Sequence, residues 1–149
     1  MSSTGAPSAA ASIIPEIGSD RVAAVRAGLS YEAVEHVQEH LEAPDELLAR
    51  AMGISSRTLS RRPETGTLTT GESDRLVLLA EIVALARQAL DSTEAIQEWL
   101  STSHSMLGGK SPLDHMDTVA GMEEVKNMLY HIEYGIPAQI CFRKPRGYV

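Results

Sequence analysis

Three arginines stand in the eight residues Ser55-Ser56-Arg57-Thr58-Leu59-Ser60-Arg61-Arg62, with no carboxylate among them, in a chain of formal net charge −7. Guanidinium groups and hydroxyls at a helix start suit phosphate oxygens and guanine edges in a major groove. The residues just before them have the packing pattern of a helix-turn-helix. Ala49 is small enough to let two helices approach, Gly53 makes the bend, and Ile54 and Leu59 lock the pair. This local inversion of charge is the main bottom-up sign of DNA contact. It assigns Ser56, Arg57, Thr58, Arg61 and Arg62 as DNA-facing. Pro63 cuts the second helix short, and the alternative is a helix pair kept as scaffold.

Other reactive side chains form no chemical site. His104, His115 and Asp117 lack both a His-x-x-x-His repeat and clustered Cys/His spacing, so no metal is expected. Gly108-Gly109-Lys110-Ser111 has the end of a phosphate-loop motif but neither its upstream glycine nor a preceding strand. Cys141 lies near Arg143 and Lys144, which lower a thiol pKa, yet no positioned base accompanies it. No catalytic residue and no cofactor is expected, and the chain reads as a non-enzyme.

Several elements must position the arginines, and they fit 149 residues as one domain or two small helical modules sharing a core. Hydrophobic residues make up 43% and aromatic ones 4%, so the core is aliphatic and methionine-rich. A single cysteine excludes an intrachain disulfide and fits a reducing compartment. The first 17 residues carry no basic side chain and no long apolar run, unlike a signal peptide. A soluble, cytoplasmic protein with no membrane partner is expected.

The chain is organised around Glu72 to Leu90, a stretch without Gly or Pro and rich in helix formers. Apart from a stripe of Asp74, Glu81 and Gln88 it is nearly all apolar, which marks a helix covered on most sides. It is too short and too charged to span a membrane. Thr69 and Glu72 form a capping box at its start.

Before this strut, residues 1–18 read as a flexible arm with an apolar island at Ile13-Ile14. Val22, Val25 and Leu29 then mark the inward line of a short helix. Ser30 caps a helix with inward Tyr31, Val34, Val37 and Leu41, and outward Glu32, Glu35, Glu39 and Glu42. Pro44 opens and Gly53 closes a third helix, and Ser55 caps the fourth. After the strut, Asp91 and Glu94 cap a helix burying Ile96, Trp99 and Leu100. Ser111, Pro112 and Asp114 start a one- or two-turn helix. The last helix runs from about Val119 to Tyr134 on Met122, Val125, Leu129 and Ile132. The tail after residue 138 holds Arg143, Lys144 and Arg146 and no acid. The fold class is all-α. Its divisions are an arm at 1–18, a helix-turn-helix domain at 19–66, a second helical domain at 67–138 and a basic tail at 139–149.

The carboxy-terminal array combines Trp99-Leu100, Leu107-Gly108-Gly109-Lys110-Ser111-Pro112, Gly121 with Val125, and Tyr134-Gly135-Ile136-Pro137-Ala138. It resembles the toxin-binding domain of the Xre–MbcA–ParS antitoxins, partners of RES-domain toxins, which carry an Xre-like helix-turn-helix ahead of it. The resemblance implies an antitoxin that neutralises a toxin acting on NAD, by degrading it or by ADP-ribosylation. In that family the carboxy-terminal end covers the toxin's NAD pocket and the helix-turn-helix can bind the operon's promoter. Toxin-binding residues are thereby implied at Gly108, Gly109, Lys110, Ser111 and Pro112, and at Tyr134, Gly135, Ile136, Pro137 and Ala138. Arg143, Lys144 and Arg146 join them if the tail past Ala138 is part of the plug. A homo-oligomer, in the first instance a dimer, is expected because paired operator half-sites call for paired reading helices and the strut has apolar surface to spare. The rival reading is a stand-alone helix-turn-helix regulator whose carboxy-terminal half only dimerises.

Overall fold

Thr69 accepts a hydrogen bond from the Glu72 backbone N–H at 3.1 Å, and the Glu72 carboxylate accepts one from the Thr69 N–H at 3.0 Å. This reciprocal cap satisfies two donors that would otherwise be orphaned, and it launches a helix of 20 residues, Thr70–Ala89. Around that helix a computed structural model describes residues 9–42, 44–61 and 66–134, and the chain is all-α. The helices are α1 (Arg21–Ala27), α2 (Tyr31–Leu41), α3 (Asp45–Met52), α4 (Ser56–Arg61), α5 (Thr70–Ala89), α6 (Thr93–Ser101), α7 (Pro112–His115) and α8 (Val119–Tyr134). Among the described residues the sheet-like pairings are two isolated bridges, Ser30 with Thr67 and His104 with Lys110.

Every residue of α5 from Leu76 to Ala86 is at most 9% exposed. α1, α2 and α3 cover it from the amino-terminal half of the chain, α6 and α8 from the other. The apolar surface expected to be spare is therefore consumed within one chain. The reason for an oligomer drawn from that surplus does not hold.

The segment expected to be a flexible arm is, from residue 9, part of the core. Two 3-10 turns, Ala9–Ser12 and Pro15–Ile17, set Ala10, Ile13, Ile14 and Ile17 at 3% exposure or less, and the first turn packs on α5. The physical cause is the all-round apolarity of α5, which offers these side chains a wall. Glu16 then accepts hydrogen bonds from the Ser30 N–H at 2.9 Å and hydroxyl at 2.6 Å. Ser30 thus occupies the N-cap position of α2 while its side chain serves Glu16 and makes no cap bond.

Other differences are smaller. Ser92, one residue past Asp91, caps α6 through the Ala95 N–H at 3.1 Å. Val22 is 54% exposed, and α1 holds no buried residue. Ile132 is 43% exposed, and Met128 joins Met122, Val125 and Leu129 in the core instead. Gly28 at φ +87° marks a forced approach, because a Cβ there would lie 2.7 Å from the Leu68 carbonyl oxygen. Beside it, the Leu68 N–H donates to the Leu29 carbonyl at 2.8 Å, and the Leu29 N–H donates to buried Ser73 of α5 at 2.9 Å. The joint before α2 is thereby tied to the central helix.

Candidate functional site

The helix-turn-helix forms from local chemistry. Gly53 takes the left-handed conformation at the end of α3 and donates its N–H to the Ala49 and Arg50 carbonyls. The Ile54 N–H donates to the Ala49 carbonyl at 3.0 Å, and Ser55 accepts from the Thr58 N–H at 3.1 Å to start α4. Buried Ala49 and Leu59 close the pair. This leaves Ser56, Arg57 and Arg61 on the exposed side, the arginines four apart and so on one face. Neither arginine forms an ion pair among the described residues. Thr58 is half-buried, its hydroxyl 2.9 Å from that of Ser55, and so helps build the turn. Arg62 lies outside the described residues. At the start of neighbouring α2, burial, then Asp45 and Glu35, raise the Tyr31 phenol above its ordinary pKa of 10.0, so it stays neutral near pH 7.

The second surface is the turn between α6 and α7. The His104 N–H donates to the Lys110 carbonyl at 3.1 Å, the Gly109 N–H to the His104 carbonyl at 3.0 Å, and the Lys110 N–H to the Leu107 carbonyl at 3.3 Å. Gly108 (φ +69°) and Gly109 (φ +85°) make this tight ring possible, and both face open space. The His104 ring packs 5.4 Å from that of Trp99, anchoring the ring of bonds to α6. Gly108, Gly109 and Lys110 are exposed. Ser111 and Pro112 are buried, and the Ser111 hydroxyl accepts from the Asp114 N–H at 3.2 Å to cap α7. Two of the five expected contact residues thus support the other three.

α8 packs against this turn and ends at Tyr134. Gly135, Ile136, Pro137, Ala138, Arg143, Lys144 and Arg146 lie outside the described residues.

Sequence reasoning missed the groups joining the two surfaces. Arg50 of α3 pairs with Asp114 of α7 at 3.0 Å, both side chains half-exposed or more. Gln97 of α6 donates to the Leu41 and Glu42 carbonyls at 3.2 and 2.8 Å, at the carboxy-terminal end of α2. Glu81 of α5, its side chain 8% exposed, pairs with Arg21 of α1 and with Lys126 of α8. A carboxylate in so apolar a helix was the available signal, because a buried charge needs partners.

Among the described residues no three His, Cys, Asp or Glu side chains converge as for a metal ion, and no helix is long and apolar enough to cross a membrane.

Residues 20–81 match the family model of the antitoxin Xre-like helix-turn-helix domain. Residues 85–135 match that of the antitoxin Xre/MbcA/ParS C-terminal toxin-binding domain. The first match ends and the second begins inside α5. Antitoxin Xre of Yersinia enterocolitica is 30% identical over 122 residues, covering 80% of this chain and 82% of that protein. The Prs ADP-ribosylating antitoxin of a Sphingobium species is 23% identical over 126 residues, 78% and 79% of the two chains. Antitoxin Xre of Pseudomonas putida is 35% identical over 83 residues, 55% and 52% of the two.

Proposed function

This chain belongs to the Xre/MbcA/ParS antitoxin family, and from that premise we propose that it silences a RES-type toxin by occluding the toxin's NAD-binding cleft and represses its own operon through α3 and α4. The observation that carries the reading is the Gly108-Gly109-Lys110 turn. It is exposed, braced by its own backbone bonds and by Trp99, and packed beside the helix that delivers the chain from Tyr134 onward. Two glycines facing open space let another protein's surface come flush with the backbone, and Lys110 adds a cation at the rim. Inhibition is then steric: the antitoxin performs no reaction, and the contact buries at least ~1,000 Å² in all. A toxin that transfers ADP-ribose from NAD is supported by the name of the Sphingobium relative, and one that degrades NAD is the other chemistry in view. The protein acts in the cytoplasm as a dimer, since paired half-sites need paired reading helices. A stand-alone regulator leaves the match of residues 85–135 without a role.

The test is NAD consumption by the toxin encoded beside this gene, alone and with three antitoxin chains: full length, ended at Ala138, and ended at Glu133. The full chain is expected to co-purify with the toxin and stop turnover, and the Glu133 end to lose that effect. The Ala138 end assigns the plug to Tyr134-Ala138 or to the basic tail. If the chain ended at Glu133 still blocks the toxin, occlusion by this end is wrong.

A further inference from the structure

One cation of α5 sits where the two halves of the chain meet, and neither surface of the proposed function uses it. Arg75 is half-buried, one turn past the capping box. Its Nη1 donates to the Ala51 carbonyl of α3 at 3.4 Å and to the Asp117 carbonyl, just ahead of α8, at 3.4 Å. The same guanidinium lies against the turn of the helix-turn-helix. A Cβ added to Gly53 would stand 3.2 Å from its Cζ, 3.3 Å from Nε and 3.4 Å from Nη1. A helix end leaves its last four carbonyls without intrahelical partners. Here the Gly53 and Ile54 N–H groups serve Ala49 and Arg50, and Arg75 reaches Ala51. A cation at this place also meets the negative end of the α3 dipole. Both Arg75 bonds are long, so they hold a position more than they add stability.

We infer that Arg75 is a positioning residue for sequence recognition: it touches no DNA, and it holds the α3–α4 turn at the angle at which Arg57 and Arg61 reach base edges. The residue stands on the helix that packs against both halves of the chain, so its seat is fixed from two sides. α4 has six residues, Ser56–Arg61, and follows the turn directly through Ile54 and Ser55. An error at Gly53 therefore swings both arginines. Base-edge contacts need their side chains within roughly 10–20° of the productive geometry. Attraction to phosphates acts through charge and carries no sequence information. Loss of Arg75 thus removes discrimination between sequences and spares attraction to any duplex. The inference rests on the proposed repression through α3 and α4, and it assigns the aim of that pair to a side chain outside it.

Fluorescence anisotropy of the full chain, with the promoter fragment and with a scrambled duplex of equal length across a salt series, reads both parts. Arg75→Ala is expected to weaken promoter binding about tenfold, the order of one lost base-edge contact, and to leave scrambled binding and its salt slope as in the wild type. A phosphate contact by Arg75 would instead flatten that slope by ~0.9, and a partly unfolded chain would weaken both duplexes alike. Either result overturns the positioning role. Arg75→Gln keeps the apolar stem of the side chain and is read the same way should the Ala chain fail to fold in circular dichroism melts. Gly53→Ala presses on the same seat, so it should cost less preference when added to Arg75→Ala than alone; additive losses overturn the shared seat. A wild type that binds both duplexes alike takes down the operator reading and this inference with it. A wild-type preference that folded Arg75 variants keep takes down this inference alone. The NAD assay on the same variants is expected to show the toxin still silenced, because Thr118 separately caps Gly121 at the start of α8. Silencing lost together with preference makes Arg75 a general tie between the halves and overturns the proposal.

Discussion

Gly121, in the first turn of α8, is where helix propensity and packing disagree most sharply. Alanine is better than glycine inside a helix by about 1 kcal/mol. A Cβ at Gly121, however, would lie 1.8 Å from the His115 carbonyl oxygen, a backbone atom of α7 that cannot swing aside. The Gly121 N–H also donates to Thr118 Oγ1 at 2.9 Å, fixing the start of α8 against that turn. Overpacking of this kind costs ~1–3 kcal/mol, enough to cancel or exceed the propensity gain. Gly121→Ala is expected to lower the melting temperature, by about 2–4 °C for each kcal/mol lost. An unchanged or higher midpoint would remove the close approach. Residues acting within four positions of themselves were legible: Thr69 with Glu72, Ser111 with Asp114, and Gly53. Gly121 could be singled out, but its reason could not, because the atom it makes room for belongs to another helix.

Among elements, α5 was readable for a simple reason: an apolar circumference has to be covered, wherever the cover comes from. What covers it was not readable, because Ser, Ala, Gly and Pro around Ile13-Ile14 have the composition of an unstructured arm. The 3-10 turns there hold no long helical bond pattern, so their order derives from the α5 wall and from Glu16 at Ser30. Ile14 is fully buried. Ile14→Ala should therefore cost ~2–5 kcal/mol in urea unfolding, the usual range for an emptied core site. A surface arm would give no more than about 0.5 kcal/mol. A cost in that lower range would return residues 9–17 to the solvent and undo this part of the fold.

At the scale of the whole molecule, the proposed repression requires a chain of net charge −7 to meet a polyanion, and only a local field makes that possible. α2 turns exposed Glu32, Glu35 and Glu39 outward, while α4 presents Arg57 and Arg61 on one face. The helix-turn-helix half is also held to the toxin-binding half, by Arg50 to Asp114 and by Gln97 to the end of α2. Exposed pairs such as Arg50 with Asp114 contribute about 0–1 kcal/mol, so their role is orientation more than stability. If α4 enters the major groove, Arg57→Ala and Arg61→Ala must weaken operator binding in one of two distinguishable ways. An arginine on a base edge costs ~1–3 kcal/mol and relaxes specificity at one position. An arginine on phosphate weakens all sequences alike and flattens the slope of log K against log salt by ~0.9 per lost contact. Fluorescence anisotropy with the promoter fragment across a salt series tells them apart. The acidic remainder of the chain is repelled most at low salt, where screening is weakest, so a real α4 contact has to outweigh that repulsion at the low-salt end of the series. Two variants binding as tightly as the wild type, with the same slope, would leave the helix-turn-helix as scaffold.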